Sequence, residues 1–218
     1  MAYHHYNMQN EPGKTFEVSV VDSIGVSELH PGSKEPTPEQ ASPSKEEVLQ
    51  KVLERRVELA KYYVPAHTKK SRLVTESDIP RVVKDGKILH EMALTGRANY
   101  TMVSALAHPQ MEMVDPLRFY VTLEGVVIIN PVIRSTDKHL ISAPEGCMTF
   151  DTTPMKEVTR YKKIYLRYQT LMQRQKNGKP IEDPLISEPV NMTLTDMQAR
   201  IAQHEIDHLN GIYIYSNI

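Results

Sequence analysis

The chain has 218 residues, with 26 Lys and Arg against 27 Asp and Glu. A net charge of −1 excludes a global electrostatic grip on nucleic acid or anionic membrane, so neither specific nucleic-acid binding nor a membrane partner is expected. One cysteine, Cys147, excludes an internal disulfide framework, and the longest apolar run near the middle, Val126 to Ile129, is far too short to span a bilayer.

The N-terminus has no apolar stretch, and acidic residues come early at Glu11, Glu17, Asp22 and Glu28, so it reads neither as a secretory signal nor as a transit peptide. Phe16, Val18 and Val20 alternate with polar residues, as in a short strand. Residues 31–45 carry four prolines and little that can pack, which predicts a flexible linker. A helix follows. Ser44 and Glu47 form a capping box, Val48, Leu49, Val52 and Leu53 recur at helical spacing, and Val64-Pro65 ends it. This helix is expected to dock on the body of the protein, with a protein-binding arm as the alternative.

From about residue 70 the composition is that of a mixed α+β domain. Ile88, Leu89 and Met92 predict a helix over roughly 84–97. Phe119–Leu123 and Val126–Ile129 read as strands around a Glu124-Gly125 turn. Val158 to Tyr168 is β-prone, with Asn177-Gly178 as a later turn signal.

The last element carries the chemistry. Thr195 to Gln198 reads as a capping box and Gly211 sits where a helix would end. Between them, His204 and His208 stand four apart, one turn above each other on the same face. Glu205 follows the first histidine. In this H-E-x-x-H pattern two imidazoles bind a divalent ion, and the glutamate acts as general base. Two buried, hydrogen-bonded, inert histidines are the alternative. A catalytic site needs a third protein ligand. Only ten residues follow His208, and none is His, Asp, Glu or Cys, so that ligand lies upstream. Cys147, in a polar, bending segment, is the obvious candidate.

These residues resemble the peptide deformylase family. Glu145-Gly146-Cys147-Met148-Thr149 is similar to its EGCLS motif, and Gln203 to Gly211 is similar to its QHExDHLxG motif. Val103-Ser104-Ala105-Leu106-Ala107-His108-Pro109-Gln110 resembles GxGLAAPQ in the expected order, and Asn130-Pro131 and Ala199-Arg200 are also family-like. The resemblance covers about residues 70–215. It implies an α+β fold with small antiparallel sheets packed around the helix that carries the histidines. It implies removal of the formyl group from N-formyl-methionine of new polypeptides, with nascent peptides as substrate and the ribosome as a candidate partner. One divalent ion is implied, Fe²⁺ first, with Zn²⁺, Ni²⁺ or Co²⁺ able to replace it. Cys147, His204 and His208 would hold it. Glu205 would move the proton, while the Gln110 side chain and the Met148 backbone N–H would bind the oxyanion. Ser104, Ala105, Met197 and Ile201 would contact substrate, the last two lining an apolar methionine pocket. Glu145 and Asp207 are candidates to accept the second N–H of a ligand histidine, with Arg160 pairing one of them. The compartment implied is a bacterial or phage-infected cytoplasm or an organelle matrix.

The first motif departs from the family at Val103 and Ala105, which replace glycines, and at His108, which replaces alanine. An Ala105 Cβ could narrow the cleft, unless the backbone there is one that alanine adopts freely. His108 is expected to point away from the site. The expected division is a flexible extension over 1–43, an accessory helix over 44–65 and a catalytic domain over 66–218. Two other readings compete: an H-E-x-x-H metallopeptidase or amidase, and a non-catalytic homologue that binds a partner. His4 and His5 read as an exposed pair without a role, and Lys69-Lys70-Ser71-Arg72 as a solvated loop rather than an RNA contact.

Overall fold

The computed structural model describes residues 44–96, 103–150, 152–172 and 184–215, and the backbone of 175–176 and 179–180. The expected strand at Phe16–Val20, most of the expected linker, His4 and His5, and the Asn177-Gly178 turn lie outside the described residues.

In chain order the elements are α1 (Lys45–Leu59), α2 (Ile79–Thr95), β1 (Ala105–Ala107), β2 (Phe119–Thr122), β3 (Val127–Thr136), β4 (Leu140–Glu145), β5 (Lys156–Tyr161) and β6 (Lys163–Gln169). Four two-residue strands follow, β7 (Leu171–Met172), β8 (Gln175–Lys176), β9 (Lys179–Pro180) and β10 (Leu185–Ile186), and then β11 (Val190–Thr195) and α3 (Asp196–Leu209). One antiparallel sheet runs β1-β2-β3-β6-β11, and β4 pairs with β5 in a separate ribbon. The α+β architecture is therefore as expected.

α1 opens on the expected capping box. The Glu47 N–H donates to Ser44 Oγ at 3.2 Å, and the Ser44 N–H donates to Glu47 Oε2 at 2.7 Å. Its regular turns end at Leu59, and a 3-10 turn, Ala60–Tyr62, carries the chain to Val64-Pro65. α1 meets α2 through polar anchors near its end: Arg55 pairs with Glu91, Arg56 Nη2 donates to Thr95 O at 2.8 Å, and Leu59 is buried. Val48, Leu49, Leu53 and Val57 face solvent.

Strand periodicity explains how the sheet separates two cores. Leu106, Phe119, Val121 and Ile129 face α2 and pack with Val82, Leu89 and Met92. Their neighbours Ala105, Ala107, Tyr120 and Ile128 face the other way and pack with Ala199, Ala202, Ile206 and Leu209 of α3. The small side chains of β1 let α3 lie close to the sheet edge.

Two local features fix the strands that lead to the site. Asn130 has a φ of 50°, and the β3–β6 register shifts beside it, so Pro131 falls where no ladder hydrogen bond is needed. The Asn130 side chain replaces those bonds. Its Oδ1 accepts from Val74 N at 2.9 Å, and its Nδ2 donates to Val74 O at 3.0 Å. The segment expected as one β-prone run divides at Lys162, whose N–H turns to His139 O, so β5 and β6 belong to different sheets.

The start of α3 differs from expectation. The Thr195 side chain makes no cap hydrogen bond. The start is set by strand pairing instead: Thr195 is opposite Lys163, Asp196 N donates to Lys162 O at 2.7 Å, and Asp196 takes a φ of 52°. Gly211 ends the helix as expected, with a φ of 73°.

Candidate metal centre

Cys147 lies just past the end of β4, and His204 and His208 project from one face of α3. Gln203 holds α3 against the ribbon. Its Nε2 donates to Tyr161 O at 2.8 Å and its Oε1 accepts from Tyr161 N at 3.1 Å. Ligand atoms of Cys147, His204 and His208 all lie within 4.8 Å of one another. Cys147 Sγ is 3.3 Å from His208 Nε2, which is 3.0 Å from His204 Nε2. Ligands about 2.0–2.3 Å from a tetrahedral ion stand roughly 3.3–3.8 Å apart, so the set is close to the size a small divalent cation needs.

The two histidines shift in opposite directions. Burial works against a charge on His204, but the Cys147 thiol and Glu145 more than offset it and push its pKa up to about 10. Burial drives His208 well below its ordinary value, which leaves a neutral, ligating imidazole. The His204 tautomer is fixed by Glu145, whose Oε2 accepts from Nδ1 at 2.9 Å, so Nε2 offers its lone pair to the centre. Glu145 is itself gripped by Arg160, which donates to both oxygens at 2.9 Å, and by Arg200 Nη1 at 2.6 Å. Asp207 pairs with Arg160 and not with a ligand histidine.

Glu205 is buried, and its Oε2 has no hydrogen-bond partner among the described residues. Burial pushes its pKa up to about 7, against the pull of His204 and Arg160. Such a carboxyl is suited to taking and giving a proton near neutrality. Gln110 ends a 3-10 turn, His108–Gln110, directly after β1. Its Oε1 accepts from Ala107 N at 2.8 Å, which turns the amide nitrogen toward Cys147 Sγ (3.9 Å) and Thr149 Oγ1 (3.3 Å). Met148 opens the 3-10 turn that follows Cys147.

The family profile described as polypeptide deformylase matches residues 57–218. This chain belongs to the polypeptide deformylase family. A peptide deformylase of Thermotoga petrophila is 35% identical over 116 residues, 52% of this chain and 60% of the relative. The chain thus aligns with somewhat under two thirds of that relative's length. Among solved structures, a peptide deformylase from Thermotoga maritima matches with 30% identity and a TM-score of 0.53, covering 70% of this chain and 94% of the other. One from Thermus thermophilus matches with 28% identity and a TM-score of 0.52, covering 72% and 82%. The deformylase family is metal dependent, in keeping with the cluster at Cys147, His204 and His208.

Within this deformylase fold the remaining expected residues separate. Ser104 is exposed and Ala105 is buried. Ala105 packs in the core on the α3 side, in strand backbone that alanine adopts freely, so its Cβ does not narrow a cleft. Met197 and Ile201 do not form an apolar pocket together. Met197 is 64% exposed and lines a hollow of about 230 Å³ with Ile141, Ala143, Arg160 and Arg200, while Ile201 packs toward the sheet core. The turn before His204 on the site's face is taken by Arg200, which Glu145 draws inward. His108 contacts Asp85, Leu117 and Phe119 and not the cluster, as expected, and its ring is fully buried. Arg72 is engaged by Asp78 and Asp115, Lys69 by Val114 O, and Ser71 is buried. Sequence reasoning missed Arg200 as a Glu145 partner, and Asp85 and His67 as supports of the Gln110 turn. No helix among the described residues is long and apolar enough to cross a membrane.

Proposed function

We propose that the chain hydrolyses the formyl amide of N-formyl-methionyl peptides and releases formate. The observation that carries this reading is a buried carboxyl, Glu205, on the helix of a Cys–His–His cluster, with the Gln110 amide aimed at the same cluster. A divalent ion held by Cys147, His204 and His208 supplies Lewis-acid polarisation and makes water nucleophilic near neutral pH. Glu205 takes the proton of the attacking water and passes it to the leaving amine. Gln110 Nε2 and the Met148 N–H donate to the oxyanion that develops on the formyl oxygen, each supplying about 3–4 kcal/mol of transition-state stabilisation. Glu145, fixed by Arg160 and Arg200, keeps His204 in the ligating tautomer.

One thiolate and two imidazoles suit Fe²⁺ or Zn²⁺, and the family resemblance favours Fe²⁺. The substrates are nascent chains, so the protein works in a bacterial or phage-infected cytoplasm or an organelle matrix, within reach of ribosomes. The test is anaerobic purification with metal analysis, then formate release from a formyl-methionyl peptide by the wild type and Glu205→Ala. Metal-loaded wild type that releases no formate, or a Glu205→Ala variant as active as wild type, would overturn the reading.

A further inference from the structure

His108 stands where the family motif has alanine, and it is the site of a buried polar arrangement that the mechanism above does not use. Its ring is fully buried and tilted against Phe119, with centroids 4.7 Å apart. Leu117 N donates to His108 Nδ1 at 2.9 Å, so the ring proton resides on Nε2. Nε2 donates to Asp85 Oδ2 at 3.1 Å. Asp85 projects from α2, is itself buried, and also accepts from Arg81 Nε at 3.3 Å. Arg81 continues to Glu112 and Asp115 on the far side of the same turn. Burial holds the imidazole below its ordinary pKa in spite of Asp85, so the ring is neutral and its two hydrogen bonds have a fixed sense.

Gln110 lies two residues on, in the same 3-10 turn, and Pro109 between them fixes one backbone angle. The outer side of the turn is held as well. Val64 N donates to Gln110 O at 3.1 Å, and His67 Nε2 donates to Pro109 O at 3.0 Å. The turn that carries the amide therefore has one imidazole outside it and one beneath it. Alanine at 108 has no atom that can reach α2, and Asp85 then has no histidine to bury against.

We propose that His108, anchored by Asp85, is a positioning residue that fixes the Gln110 side-chain amide for oxyanion binding. This rests on the deformylase reading, which gives Gln110 its role. The anchor acts on the transition state and not on substrate uptake, because His108 contacts neither the cluster nor exposed surface.

The test uses the full-length metal-loaded chain. His108→Ala lowers kcat about tenfold or more and leaves KM within about twofold, as misplacement of a reacting group by a fraction of an ångström does. Asp85→Ala asks the same question with the ring retained, and shifts kcat in the same direction. In a Gln110→Ala background, adding His108→Ala changes kcat less than about twofold, because the group to be positioned is gone. An equal fold-loss in both backgrounds would assign His108 to packing alone and overturn the proposal. A second readout does not need activity. In the ¹⁵N-labelled protein the Gln110 side-chain amide gives one slowly exchanging proton pair, which shifts and exchanges faster in His108→Ala or Asp85→Ala. Unchanged Gln110 resonances in both variants would overturn it too. Failure of the wild type to release formate sinks the deformylase reading instead, and the amide readout still decides whether His108 fixes Gln110.

Discussion

Glu145 Oε2 accepts from His204 Nδ1 at 2.9 Å across 59 positions of sequence, and this bond ties the β4–β5 ribbon to the metal helix. The same carboxylate accepts from Arg160 and Arg200, so one buried anion balances two guanidiniums and orients a ligand. Glu145→Ala takes from both buried guanidiniums their shared carboxylate, leaving Arg160 only Asp207 and Arg200 only the carbonyls of Val158 and Ile141. The expected result is a loss of about 3–5 kcal/mol in stability, as for a broken buried ion pair, and metal binding weakened about 10- to 100-fold. Urea unfolding and chelator competition measure the two. Metal affinity equal to wild type would remove Glu145 from its orienting role.

The same residue sets a pH dependence. Burial pushes the Glu145 carboxyl up, but hydrogen bonds from His204 and Arg160 outweigh it and hold it at about 2, below its ordinary 4.5. Between those values the unfolded chain binds a proton that the folded chain does not. The contribution of Glu145 to stability is therefore complete above about pH 4.5 and is lost as pH falls toward 2. Thermal unfolding followed from pH 6 downward should show a falling midpoint in this window, and Glu145→Gln should flatten that part of the curve.

Metal removal should take up protons. With no cation bound, His204 holds a proton up to about pH 10 and Glu205 titrates near 7. A bound ion displaces the His204 proton from Nε2 and favours the Glu205 carboxylate. Chelation at pH 7 is thus expected to draw protons from the buffer, and Glu205→Gln to draw fewer. Calorimetry in two buffers of different ionisation enthalpy measures the count. Chelation with no buffer dependence would contradict this account of the site's charge.

How much of this was readable in advance follows from the range of each interaction. The clustering of Cys147, His204 and His208 and the buried place of Glu205 could be read because H-E-x-x-H is local to one helix and because Cys147 is the chain's single thiol. The capping box of α1 could be read because its hydrogen bonds span three residues. Thr195 failed as a cap because strand pairing with Lys163, far away in sequence, fixes the backbone first. Met197 and Ile201 share a helical spacing, yet the inward place went to Arg200, through a carboxylate 55 residues away. His108 keeps away from the cluster as expected, but its partner was not legible: Asp85 is on α2, 23 residues earlier. Ala105 became legible only once β1 was seen as a strand facing α3.

The end of α3 gives a prediction about the metal helix as a unit. Gly211 has a φ of 73°, and a Cβ there would meet Thr68 O at 2.3 Å, which is backbone and cannot swing aside. The surrounding chain is closed on both sides: Gly211 N donates to His208 O at 3.0 Å, and Ser71 N donates to Leu209 O at 2.9 Å. Gly211→Ala therefore meets left-handed backbone and a collision together, at a total of about 2 kcal/mol or more. Gly125 is the comparison. Its φ is 81°, but its nearest neighbour is the His90 ring at 3.1 Å, a side chain that can shift. Gly125→Ala should cost only about 1 kcal/mol, the backbone part alone. Because the Gly211 N–H caps the carbonyl of a ligand residue, Gly211→Ala should also weaken metal binding, and Gly125→Ala should not. Urea midpoints and metal titration of the two variants separate these effects. Equal destabilisation of both would mean that Thr68 yields and that the close approach does not hold the end of α3.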